Sequence, residues 1–237
     1  MEDIILNLIV IAVVAVLVIA LFLYLQQRKK RRDHEFRQMV QEKGWQVERV
    51  QQPLLTGYKL FGKDAGSQWT LETLAQASPR EAGPGSSEVS HSTRWWTEDI
   101  TLPDNAIVFG PGTGPDTAKM FNSFGAIFLQ KALQVMLGKD AQWAARLSPV
   151  EINNPALREK FLIMAEHNRG VDQLLSVPVE NVLSALSEKH KVIVTLRNNG
   201  LEIRLPEEQV MDRQTLEQIV NLGKTIALSL PTSLQTY

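Results

Sequence analysis

The first part of the chain is a long apolar run that ends in a block of basic residues. The run extends from Ile4 to Leu25, and Asn7 is its one clearly polar side chain. A helix of this length extends about 33 Å, enough to cross a hydrocarbon core of about 30 Å. A cleaved signal peptide agrees less well with the acidic N-terminal flank and the lack of a small-residue cleavage site. The pattern predicts a transmembrane anchor over residues 1–27.

The basic block indicates the orientation of that anchor. No basic residue precedes the apolar run, and the five that follow it closely are Arg28, Lys29, Lys30, Arg31 and Arg32. Because Lys and Arg beside a span remain on the cytoplasmic side, we expect the N-terminus outside and the rest of the chain in the cytoplasm. The same side chains are predicted to contact anionic lipid headgroups, at about 1 kcal/mol each. The sequence therefore predicts a single-pass plasma-membrane protein with the lipid bilayer as a partner.

Beyond the block, the pattern of apolar positions changes from helical to alternating. Phe36, Met39 and Val40 have helical spacing and Gly44 suits a helix end, which predicts a basic juxtamembrane helix over 28–44. Alternation then predicts strands at 46–50, 58–61, 67–75, 94–102 and 106–109. We expect the strand at 94–102 to pair with that at 67–75. The intervening residues 76–93 contain little that could pack, so they are predicted to form a mobile loop.

The second half of the chain mixes helices with one clear hairpin. Predicted elements are a helix at 116–137, a strand at 161–166, a helix at 178–189, a hairpin at 191–205 and a helix at 212–230. Asn199-Gly200 supplies the positive φ angles of the hairpin turn. Antiparallel strands packed by helices define an α+β fold. The cytoplasmic domain is expected over 45–237, either as one unit or as halves 45–112 and 150–237 joined by the helix at 116–137.

Composition and charge exclude several classes of function. The hydrophobic fraction of 44% and the charged fraction of 22% are ordinary globular values. The chain has 25 basic and 26 acidic residues, and the basic block leaves the rest mildly acidic, which argues against a nucleic-acid partner. There is no cysteine, so disulfides, thiol nucleophiles and cysteine-ligated metals are excluded.

One glycine-rich segment lies where a phosphate-binding loop would be expected. Gly110-Pro111-Gly112-Thr113-Gly114 follows a predicted strand and precedes a predicted helix. The Walker and dinucleotide patterns are not matched, because the nearest lysine is Lys119 and position 115 is proline. A stiff connection from strand to helix is favoured, with ligand binding as the alternative.

The remaining polar residues do not form a catalytic pattern. The histidines, at 34, 91, 167 and 190, lack the spacing that places two ligands on one helix face. Glu98 and Asp99 are neighbours on a predicted strand and point to opposite faces, so they cannot act together as acid and base. Solvated carboxylates are expected there and at Glu207-Glu208. No catalytic residue, metal or cofactor is predicted.

Two features suit binding better than catalysis. Trp95 and Trp96 are neighbours on a strand, so one can enter the core while the other faces outward as a candidate partner contact. A sheet covered on both faces is the alternative. The helix at 116–137 is apolar over more than half its circumference. Core packing is favoured for it, with a dimer or membrane-surface face as the alternative.

One group of residues resembles a known kind of protein. The pattern Tyr58-x-Leu60-x-Gly62-x-x-x-Gly66-x-x-Trp69-x-Leu71-Glu72, followed by Arg94-Trp95 and Leu102-Pro103, resembles a group of single-pass bacterial membrane proteins of unknown function. The resemblance covers roughly residues 45–112 and the anchor. It implies a bacterial inner-membrane setting and no catalytic residue.

The function favoured by these patterns is that of a non-catalytic, membrane-anchored binding or adaptor protein. Its expected partner is another protein or a second copy of the chain. Two alternatives remain open. One is a tethered hydrolase that acts on a nucleotide or lipid headgroup through Gly110–Gly114. The other is a peripheral lipid-sensing module that uses the basic block and an exposed tryptophan.

Overall fold

Nine antiparallel strands form a single sheet in the part of the chain that the structure describes. The structure, a computed structural model, describes residues 2–64, 66–78, 88–112, 137, 141–150, 154–168 and 170–230. The strands are β1 (Gln46–Gln52), β2 (Leu55–Asp64), β3 (Ser67–Ser78), β4 (Glu88–Thr97), β5 (Ile107–Pro111), β6 (Ser148–Pro149), β7 (Phe161–Ala165), β8 (Ile193–Arg197) and β9 (Gly200–Pro206). The helices are α1 (Glu2–Lys43), α2 (Pro155–Lys160), α3 (Val171–Leu174), α4 (Val177–Ser187) and α5 (Arg213–Ser229), with a 3-10 helix at Ala141–Arg146.

The strand order brings the two halves of the chain into one sheet. The order is β1-β2-β3-β4-β9-β8-β5-β7-β6, and every pair is antiparallel. Strand β4 pairs with β9 so that Trp95 lies opposite Ile203. The α+β class and the pairing of β3 with β4 are therefore confirmed, and the segments 45–112 and 150–237 share the sheet.

Turn and cap residues mark several element boundaries, and the left-handed glycine predicted at position 44 is confirmed. Gly44 follows α1 with φ 66°, the left-handed conformation expected just after a helix. Gly200 opens β9 with φ 127° in the hairpin between β8 and β9. Asp212 begins α5, and its carboxylate accepts the backbone N–H of Thr215 at 2.9 Å. These positions show that local sequence signals set the element boundaries.

Helices cover one side of the sheet, which we call the inner face. Helices α4 and α5 and the C-terminal part of α1 pack there, with Phe36 and Met39 of α1 buried. Trp95 is 2% exposed, and its ring lies directly against Gly223 of α5. A side chain at position 223 would overlap the indole, so the glycine permits the close approach of helix and sheet. The main hydrophobic core therefore lies between the inner face and the helices.

The opposite side, which we call the outer face, is apolar at one end only. Val108, Met164 and Ile193 of β5, β7 and β8 form a second buried cluster there, packed against Ala144 and Leu147. Over β2, β3, β4 and β9 the outward residues are mostly polar or charged, including Lys59, Glu72, Arg94, Glu202 and Arg204. The outer face thus has a covered apolar end and a polar end.

The prediction of a transmembrane anchor is wrong. Among the residues whose side chains are described, no helix is long and apolar enough to cross a membrane. This finding also overturns the predicted single-pass topology, the outside N-terminus and the inner-membrane location.

Two predicted segments fall wholly or partly outside the described residues. Strands β3 and β4 extend into the predicted loop at 76–93, because Ala77 pairs with Val89 and Ser78 with Glu88. The residues between them, 79–87, lie outside the described part. The predicted helix at 116–137 also lies outside it, except for Leu137, which is buried on the outer face.

A buried threonine fastens the segment after β9 to the sheet, and its loss should lower stability. The Thr93 hydroxyl accepts the Val210 N–H at 2.9 Å and donates to the Glu208 carbonyl at 2.8 Å. We expect Thr93→Val to lower the free energy of unfolding by about 1–3 kcal/mol, since it leaves a buried N–H without an acceptor. Chemical denaturation would measure this. Thr93→Ser keeps the hydroxyl and should lose about 1 kcal/mol or less, and equal losses for the two variants would contradict the prediction.

Candidate functional site

A pocket with several buried polar side chains lies at the boundary between the two ends of the outer face. We call it the seam pocket. Its volume is about 540 Å³. The side chains that define it are Arg94, Thr195, Arg197, Arg204 and Trp143. It lies where the polar outer residues of β4 and β9 meet the covered apolar end.

Strand alternation brings the three arginines to the same face. On β9 the inward residues Leu201, Ile203 and Leu205 are buried, so Arg204 between them points outward. Register places Arg94 of β4 directly opposite Arg204. Arg197 ends β8, two residues after outward Thr195, and completes the cluster.

A single carboxylate is shared between two of these arginines. Glu202 Oε1 lies 2.8 Å from Arg94 Nε and 3.1 Å from Arg204 Nε. These distances are those of ion pairs, but neither N–H is aimed well enough at the oxygen to form a hydrogen bond. Arg204 also donates to the Leu137 carbonyl at 3.4 Å. The remaining nearby acids are engaged elsewhere, Glu72 with Lys59 at 3.5 Å and Glu207 with Lys191 at 3.3 Å.

The pocket contains buried donors that form no hydrogen bond. The Nε atoms of Arg94, Arg197 and Arg204 are buried and form no hydrogen bond within the described structure, and the same is true of the Thr195 hydroxyl. Thr195 is 3% exposed. A buried donor left without a partner costs about 1–3 kcal/mol, more when it is charged. Such groups are expected where something else supplies the acceptors.

Arg197 is held in place by an aromatic ring. Its guanidinium carbon lies 4.1 Å from the centre of the Trp143 ring, a cation–π contact. Burial lowers the pKa of Arg197, and the negative charge of Glu202 acts in the opposite direction. The positive charges of Arg204 and Arg94 lower this pKa further. The cluster therefore contains more positive charge than its own carboxylate neutralises.

A separate aromatic pair lies further along the outer face. Phe61 of β2 and Trp96 of β4 flank Thr70 of β3 in the same row of the sheet. Both aromatic side chains are half-buried and belong to neither buried cluster. Arg94 lies over the Trp96 ring at 4.7 Å. A groove of about 500 Å³ runs beside the pair.

The structure places the predicted partner contacts on opposite faces of β4. Trp95 is buried in the main core, so it is not accessible to a partner. Trp96 lies on the outer face. The predicted lipid contacts Arg28, Lys29, Lys30, Arg31 and Arg32 lie on α1, away from the seam pocket. Of these, the four with described side chains are exposed, and their contact with lipid stays a prediction.

The glycine-rich segment is used in part for sheet pairing. Gly110 and Pro111 belong to β5, and the Gly112 N–H donates to the Lys160 carbonyl at 2.8 Å. That N–H is therefore not available to a phosphate. Residues 113 and 114 lie outside the described part.

One histidine takes part in a contact chain that the spacing of residues did not reveal. His190 Nδ1 lies 2.5 Å from Glu208 Oε2, and His190 Nε2 lies 3.4 Å from Thr215 Oγ1. The order carboxylate, imidazole, hydroxyl is that of a hydrolase triad. Thr215 is only 6% exposed, however, and its distance to the ring is long for a nucleophile and its base. The chain of contacts ties the segment after β9 to the first turn of α5.

The remaining candidate carboxylates and metal ligands do not come together into a site within the described residues. Asp99 accepts the Gln68 N–H at 2.6 Å and so binds the first residues of β3. Within the described ranges, no group of three His, Asp or Glu side chains could hold a metal ion. The seam pocket is therefore the site with the clearest binding chemistry.

Comparison with known proteins adds little to this geometry. No family model matches the chain, and no curated protein matches it in sequence. One solved structure is similar in shape: the crystal structure of the mycobacterial trehalose monomycolate transport factor A, TtfA. The similarity covers 84% of this chain and 96% of that one, with 8% sequence identity and a TM-score of 0.46. At so low a score and identity, the likeness carries no argument about function.

Sequence reasoning missed the arginines of the seam pocket. Their signal was the alternation Leu201-Glu202-Ile203-Arg204-Leu205, in which each outward position is charged. This alternation predicted the strand but not which strands pair with it in the sheet. Only the register of β4 with β9 shows that the outward charges of both strands meet.

Proposed function

We propose that this protein is a non-catalytic binding protein that holds a protein partner against the polar end of its outer face. The observation that supports this most directly is the aromatic pair Phe61 and Trp96, which lies outside both buried clusters. Tryptophan and arginine are the residues that contribute most often to the energy of protein interfaces.

The surroundings of the pair also suit a protein interface. Arg94 covers one side of the Trp96 ring, and Lys59 and Glu72 continue the row of charges on the same face. An aromatic centre with charged residues around it is the usual anatomy of a protein-binding surface. The sheet beneath is rigid because the inner side of each of these strands is packed in the main core. A partner would therefore meet a preformed surface and would not have to order it.

A hydrolase is the weaker alternative. The Gly112 N–H is already bonded to Lys160, and the hydroxyl nearest to an imidazole, that of Thr215, is buried. The first arrangement therefore offers no free N–H to a phosphate, and the second offers no accessible nucleophile to a substrate.

The proposal is tested by capture of the partner with matched variants. The full chain, expressed at its native level with a tag, is cross-linked and purified from its own cells. We expect a defined protein to be recovered with the wild type and lost with Phe61→Ala/Trp96→Ala, because truncating such residues at an interface typically costs 1–4 kcal/mol.

The control is a variant on the opposite side of the molecule. Leu228 of α5 is 76% exposed, so Leu228→Ala removes apolar surface without touching the outer face. It should retain the partner. Recovery of the same proteins with the double variant, or no specific protein with the wild type, would contradict the proposal. Circular dichroism of the double variant would show that the fold is kept.

A further inference from the structure

We infer that the seam pocket is a binding site for a phosphate-type oxyanion. This site adjoins the aromatic pair and shares Arg94 with it, but the inference does not depend on the proposed function.

The charges of the pocket indicate an anion of more than one negative charge. Once the pairs Lys59–Glu72 and Lys191–Glu207 are set aside, three guanidinium groups remain beside one carboxylate, that of Glu202. His91 also lines the pocket and is exposed. The surplus of two positive charges matches a phosphate better than a single carboxylate, which carries one.

The unused donors indicate where the oxygens would bind. Arg197 has a buried Nε without an acceptor, and Thr195 adds a hydroxyl that is buried and forms no hydrogen bond. Arg94 and Arg204 add guanidinium groups whose Nε atoms lie 2.8 Å and 3.1 Å from Glu202 without forming a hydrogen bond to it. Guanidinium groups present N–H donors in a planar fork that matches the oxygens of phosphate. The donors come from three neighbouring strands, β4, β9 and β8, so their relative positions are fixed by the sheet.

One arginine is positioned in advance of binding. Trp143 stacks on the Arg197 guanidinium and restricts its orientation. Burial and the two neighbouring arginines already disfavour the charged form of Arg197, lowering its pKa. An anion in the pocket would offset that repulsion, so part of the stabilisation on binding would come from neutralising charges that now repel each other.

A direct test is titration of the full chain with inorganic phosphate against sodium chloride at constant ionic strength. We expect phosphate to raise the melting temperature in a saturable manner and to change the fluorescence of Trp143, which lies in the pocket. Arg197→Gln should weaken phosphate binding at least tenfold, and Thr195→Val should weaken it severalfold. Arg213→Gln is the matched control, because Arg213 lies on α5 and is paired with Glu42 and Glu217.

A structural role for Arg197 would give a different result. Arg197→Gln also loses the contact with Trp143, so a lower melting temperature without ligand is compatible with either role. A purely structural arginine would leave the rise in melting temperature with phosphate intact, whereas a binding arginine would abolish that rise. Thr195→Val replaces a hydroxyl by a methyl of similar size. It therefore tests binding even if the substitution of Arg197 destabilises the fold.

Vesicles identify the source of the phosphate. The full chain is floated with phosphatidylcholine vesicles that contain or lack phosphatidic acid. Binding of free phosphate, or Arg197-dependent binding to the phosphatidic acid vesicles, supports the inference and separates a soluble ligand from a lipid headgroup. Equal effects of phosphate and chloride, together with vesicle binding that Arg197→Gln does not change, would overturn it.

The two proposals can fail separately. Partner capture depends on Phe61 and Trp96, and phosphate binding depends on Arg197 and Thr195. A partner retained by Arg197→Gln, with no phosphate binding by the wild type, would remove this inference and leave the proposed function in place.

Discussion

Replacing Trp95 by alanine is expected to lower the free energy of unfolding by about 3–5 kcal/mol, enough to remove much of the stability of an ordinary domain. The indole is 2% exposed, and it lies between Gly223 of α5 and the ring of Trp69, whose centre is 6.4 Å away. Its removal leaves a cavity at the contact of sheet and helix that neither a rigid strand nor a packed helix can fill. Urea denaturation followed by circular dichroism would measure the loss.

The neighbouring tryptophan provides the matched control. Trp96 is on the same strand with its side chain on the outer face, half-buried and outside both clusters. We expect Trp96→Ala to cost about 1 kcal/mol or less, as for most surface substitutions. Comparable losses for the two variants would show that the faces of β4 are not divided as described.

Replacing Gly57 by alanine is expected to cost roughly 2–4 kcal/mol, because the substitution acts on the backbone pairing of β2 with β3. A Cβ at this position would overlap the carbonyl oxygen of Thr73 on the neighbouring strand. A main-chain atom cannot move aside as a flexible side chain can, so the two strands would have to separate locally. Thermal and urea denaturation would give the loss.

A second glycine separates steric overlap from backbone strain. Gly66 has φ 90°, and a Cβ there would meet no atom within 4 Å. Gly66→Ala is therefore expected to lower the free energy of unfolding by about 1 kcal/mol, from the unfavourable φ alone. If both variants lost the same stability, the close approach at Gly57 would be irrelevant.

Local patterns predicted most elements of the fold. The alternation in β3 and the hairpin at 191–205 each depend on neighbouring residues, and the structure confirms both. These signals determine where a strand or helix begins, because the physical cause lies within a few residues of the position concerned.

Long-range pairing could not be predicted in the same way. Nothing in the sequence of β4 shows that β9 is its neighbour, and the seam pocket exists only because the two strands pair. Candidate sites built from distant strands therefore require the structure.

The pairing of β4 with β9 has a consequence for synthesis of the chain. Strands β1 to β4 form a consecutive meander that is complete once residue 97 has been made, but the partner of β4 spans residues 200–206. At about 5–20 residues per second, the ribosome needs roughly 5–20 s to supply it. During that time β4 presents an open edge that can pair with other nascent chains. The emerging protein therefore passes through an aggregation-prone stage, which ends only when the last hairpin is added.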